Sequence, residues 1–173
     1  LEKTAMSGTP VREIQISEGE SLNENVVLDN SRIGLVPQGF RIVGGGSSPV
    51  TISGKADSPI LTIKDIEGLT LENLRFDCST GATGISLRGY VSGTRLVNLT
   101  FANVQKHAVL ATGVNGLAGQ EFVLQQCRFQ GANASAELLR YEPSEVGNTR
   151  KVNVLGCRFF GPANVGVAID GSA

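Results

Sequence analysis

Leu71-Glu-Asn-Leu-Arg-Phe76, Leu96-Val-Asn-Leu-Thr-Phe101, Leu124-Gln-Gln-Cys-Arg-Phe129 and Val154-Leu-Gly-Cys-Arg-Phe159 align without gaps. Phe recurs at 76, 101, 129 and 159, at intervals of 25, 28 and 30 residues. Two positions before it stand Leu74, Leu99, Cys127 and Cys157. Just ahead of those lie Asn73, Asn98, Gln126 and Gly156. A period of this length is the mark of a solenoid, in which each repeat buries its apolar face only against its neighbours.

Working outward, each Phe is followed by a polar or Gly-bearing stretch and a second short apolar run. These runs are Gly84-Ile-Ser-Leu87, Ala108-Val-Leu110, Glu137-Leu-Leu139 and Val165-Gly-Val-Ala-Ile169. Alternation in Leu69-Thr-Leu71 and Leu74-Arg-Phe76 puts Leu and Phe on one face, with Thr70 and Arg75 on the other. No segment sustains an apolar period of 3.6. Each repeat therefore holds two or three strands of three to five residues, one coil of a parallel solenoid. The Phe side chains are expected to stack inside as a column, with Leu74, Leu99, Cys127 and Cys157 beside them. Asn73 and Asn98 fall at a bend, where an inward Asn can satisfy turn carbonyls and amides.

The first third has the same texture more loosely, in Ile14-Gln-Ile16, Val26-Val-Leu28, Ile33-Gly-Leu35, Phe40-Arg-Ile-Val43, Val50-Thr-Ile52 and Ile60-Leu-Thr-Ile63. Roughly six coils result, with an axis of about 30 Å. A leucine-rich repeat would want Asn three residues beyond the last apolar position, where Ser79, Val104, Ala132 and Pro162 stand instead. A left-handed hexapeptide helix needs an apolar residue every six, and has none here. The expected fold is all-β, a right-handed parallel β-helix forming a single domain over 1–173. Residues 1–10 are read as disordered or as a leader, 11–59 as irregular coils and 60–173 as regular ones.

Composition agrees. The 173 residues include 22 Gly and no Trp, 15 basic against 16 acidic side chains, and a net charge of −1. Nothing in that balance calls for nucleic acid or an anionic membrane surface, and no apolar run is long enough to span a bilayer. The three cysteines, Cys78, Cys127 and Cys157, form neither a disulfide framework nor a C-x-x-C metal spacing. Cys127 and Cys157, one coil apart, are expected to remain packed free thiols.

Asn73-Leu-Arg-Phe76 followed by Gly84-Ile-Ser-Leu87 resembles the repeat of pectate-lyase-like β-helix proteins, closely over 60–173 and loosely over 11–59. The resemblance implies architecture more than activity, since that superfamily holds lyases, hydrolases, adhesins, phage tailspikes and non-catalytic modules. It further implies a fragment of a larger, bacterial multidomain protein with an extracytoplasmic setting. Similar segments accompany surface and signalling proteins, among them serine/threonine kinases, although no kinase motif occurs in this chain. Enzymes of this kind act on acidic polysaccharides with carboxylates, Lys and Arg converging from adjacent coils.

The outward columns test that reading. Asp77, Ala102, Gln130 and Phe160 form one, and Glu72, Val97, Gln125 and Leu155 another. Neither stacks two acids, as a split acid–base pair or a calcium site would require. A third holds Arg75, Thr100, Arg128 and Arg158, suited to gripping carboxylates or sulfates. The long excursion Arg140–Arg150 offers Tyr141 to stack on a sugar, flanked by Arg140 and Glu142. His107 is read as a turn residue without a catalytic partner, and Gly44-Gly-Gly46 as a turn. Asn98-Leu-Thr100 and Asn133-Ala-Ser135 match the glycosylation sequon, the first being discounted because Asn98 is expected to face inward.

The resulting expectation is a non-catalytic scaffold or carbohydrate-binding accessory module. Its weighed alternative is a lyase or glycoside hydrolase acting on an acidic polysaccharide. Candidate ligand residues are Arg75, Arg128, Arg158, Arg140 and Tyr141. The expected partner is an acidic polysaccharide or a neighbouring domain, with no catalytic residue, metal or cofactor assigned.

Overall fold

The computed structural model describes residues 12–18, 21–30, 39–115, 121–143 and 152–169. Its described elements are strands, numbered in chain order, and three successive strands make one rung. The first rung is β1 (Glu13–Ile16), β2 (Ser21–Asn23) and β3 (Val26–Asp29). The second is β4 (Arg41–Gly44), β5 (Val50–Ser53) and β6 (Leu61–Lys64). The third and fourth are β7 (Thr70–Glu72), β8 (Leu74–Asp77), β9 (Ile85–Tyr90), and β10 (Arg95–Val97), β11 (Thr100–Val104), β12 (His107–Asn115). The fifth and sixth are β13 (Phe122–Gln125), β14 (Arg128–Gly131), β15 (Glu137–Pro143), and β16 (Val152–Leu155), β17 (Arg158–Phe160), β18 (Val165–Ile169).

Every strand pairs in parallel with its counterpart one rung away, which yields three six-stranded sheets. The chain is an all-β parallel solenoid. Its rungs begin near 13, 41, 70, 95, 122 and 152, and the described part of 11–59 joins the same sheets. The run at 33–35 and residues 1–10 lie outside the described residues. No helix among the described residues is long and apolar enough to cross a membrane.

Three apolar columns hold the rungs together. Ile14, Ile42, Leu71, Leu96, Leu124 and Val154 are register partners in the first sheet. Leu22, Ile52, Phe76, Phe101, Phe129 and Phe159 follow in the second. Val26, Leu61, Ile85, Val109, Leu139 and Val167 complete the third. Side chains in the middle rungs are sealed from solvent, and each contributes roughly 1.5–3 kcal/mol through burial. The Phe rings stack as expected, at centroid distances of 5.2, 5.1 and 4.6 Å and within 13° of parallel.

The corner between the first and second sheets explains the Asn, Asn, Gln, Gly series. Asn73, Asn98, Gln126 and Gly156 have φ of 55, 49, 56 and 63°. This is the left-handed region, which Gly and Asn enter at modest cost and Gln126 at a higher one. Asn73 Nδ2 donates to Gly44 O at 2.9 Å, and Asn98 Nδ2 to Asn73 Oδ1 at 3.2 Å. An amide ladder thus caps the corner. Asn98 is nevertheless exposed, which corrects the inward placement. In the left-handed turn its side chain stands outside the barrel, and Leu99 takes the inward position.

All three cysteines are free thiols. Burial pushes Cys78 and Cys127 up to about 12, while Cys157 in the last rung is only half buried. A thiol whose pKa is raised by folding stabilises the fold below its unfolded pKa of about 8.5, and that contribution is lost as pH climbs toward the folded value. Labelling of the native protein with a disulfide reagent at mildly alkaline pH should therefore modify Cys157 first. Cys78 and Cys127 should react at the rate of unfolding. Equal reactivity of the three thiols would contradict this packing.

Candidate functional site

The second sheet carries the arginines. Ser21, Thr51, Arg75, Thr100, Arg128 and Arg158 are successive register partners, about 4.8 Å apart. The alternation that turns the Phe column inward turns these side chains outward. Thr100 leaves Arg75 two spacings from Arg128, and Arg75 lends its charge to Asp77 nearby. Asp77 itself belongs to the opposite corner. Burial pushes its carboxyl up, but hydrogen bonds from Asn103 and Ser79 outweigh this and hold it below the ordinary carboxylate range.

Arg128 and Arg158 are direct neighbours. Among the described residues neither guanidinium has a hydrogen-bond or ion-pair partner. Together with Asn98, Gln126 and Gly156 they line a groove of about 290 Å³ along the left-handed corner. No acid is among its lining residues. The charges face water, where their mutual repulsion is under about 1 kcal/mol. An anion bridging both would gain charge-assisted hydrogen bonds of about 1.5–3 kcal/mol each.

Two residues beyond Arg158, on the same outward face, Phe160 is 47% exposed. It is not among the residues that line the groove. Gln126, Asn98 and Gly156 were not among the residues expected to bind. The left-handed corner hides them from a strand-based reading.

Arg140 and Tyr141 belong elsewhere. Both lie in β15 of the third sheet and contribute nothing to the groove. Tyr141 is 4% exposed and its ring stacks on Phe122 at 5.8 Å. It occupies the inward column of Leu28, Ile63, Leu87 and Ala111, because alternation from Leu139 brings position 141 back to the core. A flat contact with a sugar is therefore closed to it. Arg140, on the outer face, donates to Glu137 at 2.8 and 3.1 Å and to Glu142. These two acids raise its pKa further, Glu137 first, and neutralise it. Residues 144–150 of the expected binding loop lie outside the described residues.

The fold does gather acids that the columns kept apart. Glu137 and Glu142 meet on Arg140, and Glu13 and Glu72 meet on Arg41 at 2.8 and 2.7 Å. Each pair closes on the arginine between its members, leaving the carboxylates as structural clamps. His107 starts β12 and has an acid beside it after all. Its Nδ1 lies 3.3 Å from Glu137 O and 3.8 Å from the Glu137 carboxylate, a contact across 30 residues that only the register reveals. Among the described residues no three His, Cys, Asp or Glu side chains gather to hold a metal ion.

No known protein family, curated protein or solved structure matches the chain.

Proposed function

We propose that this solenoid is a non-catalytic binding module which holds an acidic polysaccharide in the Arg128–Arg158 groove, as an accessory part of a larger surface or signalling protein. The observation that carries the reading is the pair of guanidinia one rung apart, without a partner among the described residues, in a groove with no acid in its lining. Paired cations left open to solvent do little for stability. They are well placed for a carboxylate or sulfate, with the Asn98 and Gln126 amides for the sugar hydroxyls. Arg75 extends the same track at lower net charge.

Calorimetric titration with polygalacturonate and alginate should give salt-sensitive binding, with neutral dextran inert. Arg128→Ala and Arg158→Ala should each weaken it about tenfold or more, which corresponds to roughly 1.4 kcal/mol. Tyr141→Phe should leave it unchanged. An assay for unsaturated or reducing ends on the same polymers separates the catalytic alternative. Turnover abolished by Arg128→Ala would replace the binding-module reading with that of a lyase or hydrolase.

A further inference from the structure

Asn98-Leu-Thr100 and Asn133-Ala-Ser135 both carry the Asn-x-Ser/Thr pattern of a glycan acceptor, and both asparagines are exposed. Their surroundings differ. A glycosyltransferase has to draw the whole tripeptide into its own site, so the middle residue must come away from the surface with the other two. Asn98 sits in the left-handed corner between β10 and β11. Its backbone N–H donates to Gln125 O at 2.9 Å and its Nδ2 to Asn73 Oδ1 at 3.2 Å. Leu99 has no exposed surface and belongs to the core. Thr100 is paired on both sides, with Arg75 and Arg128. Lifting this tripeptide off the solenoid would unzip the second sheet and pull Leu99 into water.

Asn133 lies in the turn between β14 and β15, where its rung is longer than both neighbours. Val104 pairs with Gly131 and His107 with Glu137, so residues 105–106 of the fourth rung face residues 132–136 of the fifth. Phe160 pairs with Gln130 and Val165 with Glu137, so residues 161–164 of the sixth rung face 131–136. The surplus has no counterpart on either side and loops outward, leaving Ala132, Asn133, Ala134 and Ser135 all exposed. The Asn133 side chain is also held in one orientation. Its Oδ1 accepts from the Ser135 N–H at 3.0 Å and from the Ser135 hydroxyl at 2.9 Å. A backbone N–H can be met only by the oxygen of the amide, so Nδ2 is the end that points away from the turn. Among the described residues Nδ2 has no hydrogen-bond partner.

We propose that Asn133 of the folded chain is an acceptor for an N-linked glycan and that Asn98, with the same motif, is not. The donor is a glycosyl diphosphate, either a nucleotide sugar or a lipid-linked oligosaccharide. Nδ2 attacks the anomeric carbon, and the new C1–N bond forms as the C1–O bond to the diphosphate breaks. The diphosphate leaves with the bonding pair, and one amide proton passes to a base of the transferase. The acceptor turn lies at the far end of β14 from the left-handed corner. A bulky, hydrated glycan there leaves the groove open, so this inference stands apart from what the groove holds.

The folded chain, incubated with UDP-glucose and a soluble N-glucosyltransferase, should gain a single hexose that peptide mapping by mass spectrometry places on Asn133. Secreted from a glycosylating host, the chain should carry at Asn133 an oligosaccharide that peptide N-glycanase removes, leaving Asp in its place. Modification in the first arm assigns the nucleotide sugar as donor, and in the second the lipid-linked one. Asn133→Gln and Ser135→Ala should each abolish the gain in the soluble reaction, while Ser135→Thr and Asn98→Gln should keep it. Synthetic peptides spanning the two tripeptides should both be modified, because the fold and not the local sequence protects Asn98. An Asn133 left bare in both arms would overturn the proposal. So would a hexose on Asn98 of the folded chain, or refusal of the Asn98 peptide.

Discussion

Replacing Phe101 with alanine should destabilise the solenoid by about 3–5 kcal/mol, the usual range for deleting a fully buried aromatic side chain. The ring sits in the middle of the Phe column, with Phe76 at 5.2 Å on one side and Phe129 at 5.1 Å on the other, and has no exposed surface. Removing it takes away its own burial and one stacking contact on each neighbour, worth about 0.5–1.5 kcal/mol per aromatic pair. The parallel strands above and below are tied by backbone hydrogen bonds, so the barrel cannot collapse to fill the space. A domain of this size has about 5–15 kcal/mol in all, and such a loss should appear as a large fall in the urea midpoint. Phe159→Ala is the internal comparison. That ring has a neighbour on one side only and is half exposed, so its loss should cost clearly less. Equal losses at the two sites would mean that the column does not stabilise the fold as a stack.

How much of this was open to a reader of the sequence depends on whether a feature travels along the strand or across it. Counting from each Phe gives the Phe column and the Arg75, Thr100, Arg128, Arg158 column, because a parallel in-register stack converts equal offsets into contacts; the outward Asp77, Ala102, Gln130, Phe160 column fails at Ala102, which is buried where the register shifts. Tyr141 shows the same rule missed. Carrying the alternation two residues past Leu139 puts it inside, but the charged residues around it and the long interval to the next Phe suggested a loop. Contacts across rungs without a repeat were out of reach. Glu137 lies 30 residues from His107, and only the pairing of β12 with β15 brings them together. The corner is a third case. Asn, Asn, Gln and Gly in one column spell a left-handed backbone, yet reading Asn73 and Asn98 as inward hydrogen-bonding groups hides Asn98 as a groove residue.

Gly84→Ala and Gly166→Ala should shift stability in opposite directions, although both glycines begin or lie within the run that follows a Phe. Gly84 opens the stretch Gly84-Ile-Ser-Leu87, and its backbone does not adopt a positive φ. What it provides is space. A methyl group there would sit 2.5 Å from the Ala108 carbonyl oxygen and 2.9 Å from the Phe101 ring. The carbonyl belongs to the next rung and accepts no displacement without breaking the sheet, while the ring is held between two others. Forcing a carbon into a filled core costs about 1–3 kcal/mol, and a backbone obstacle places Gly84→Ala at the upper end. Gly166, in β18, presents the contrary case. Its nearest neighbours would be Phe159 side-chain atoms at 3.9 Å, ordinary contact, because the last rung carries no described rung above it. There the methyl group narrows the unfolded ensemble without strain, and a gain of about 0.4–1 kcal/mol is expected. Paired urea unfolding curves check both signs. A destabilised Gly166→Ala would show that the position is covered.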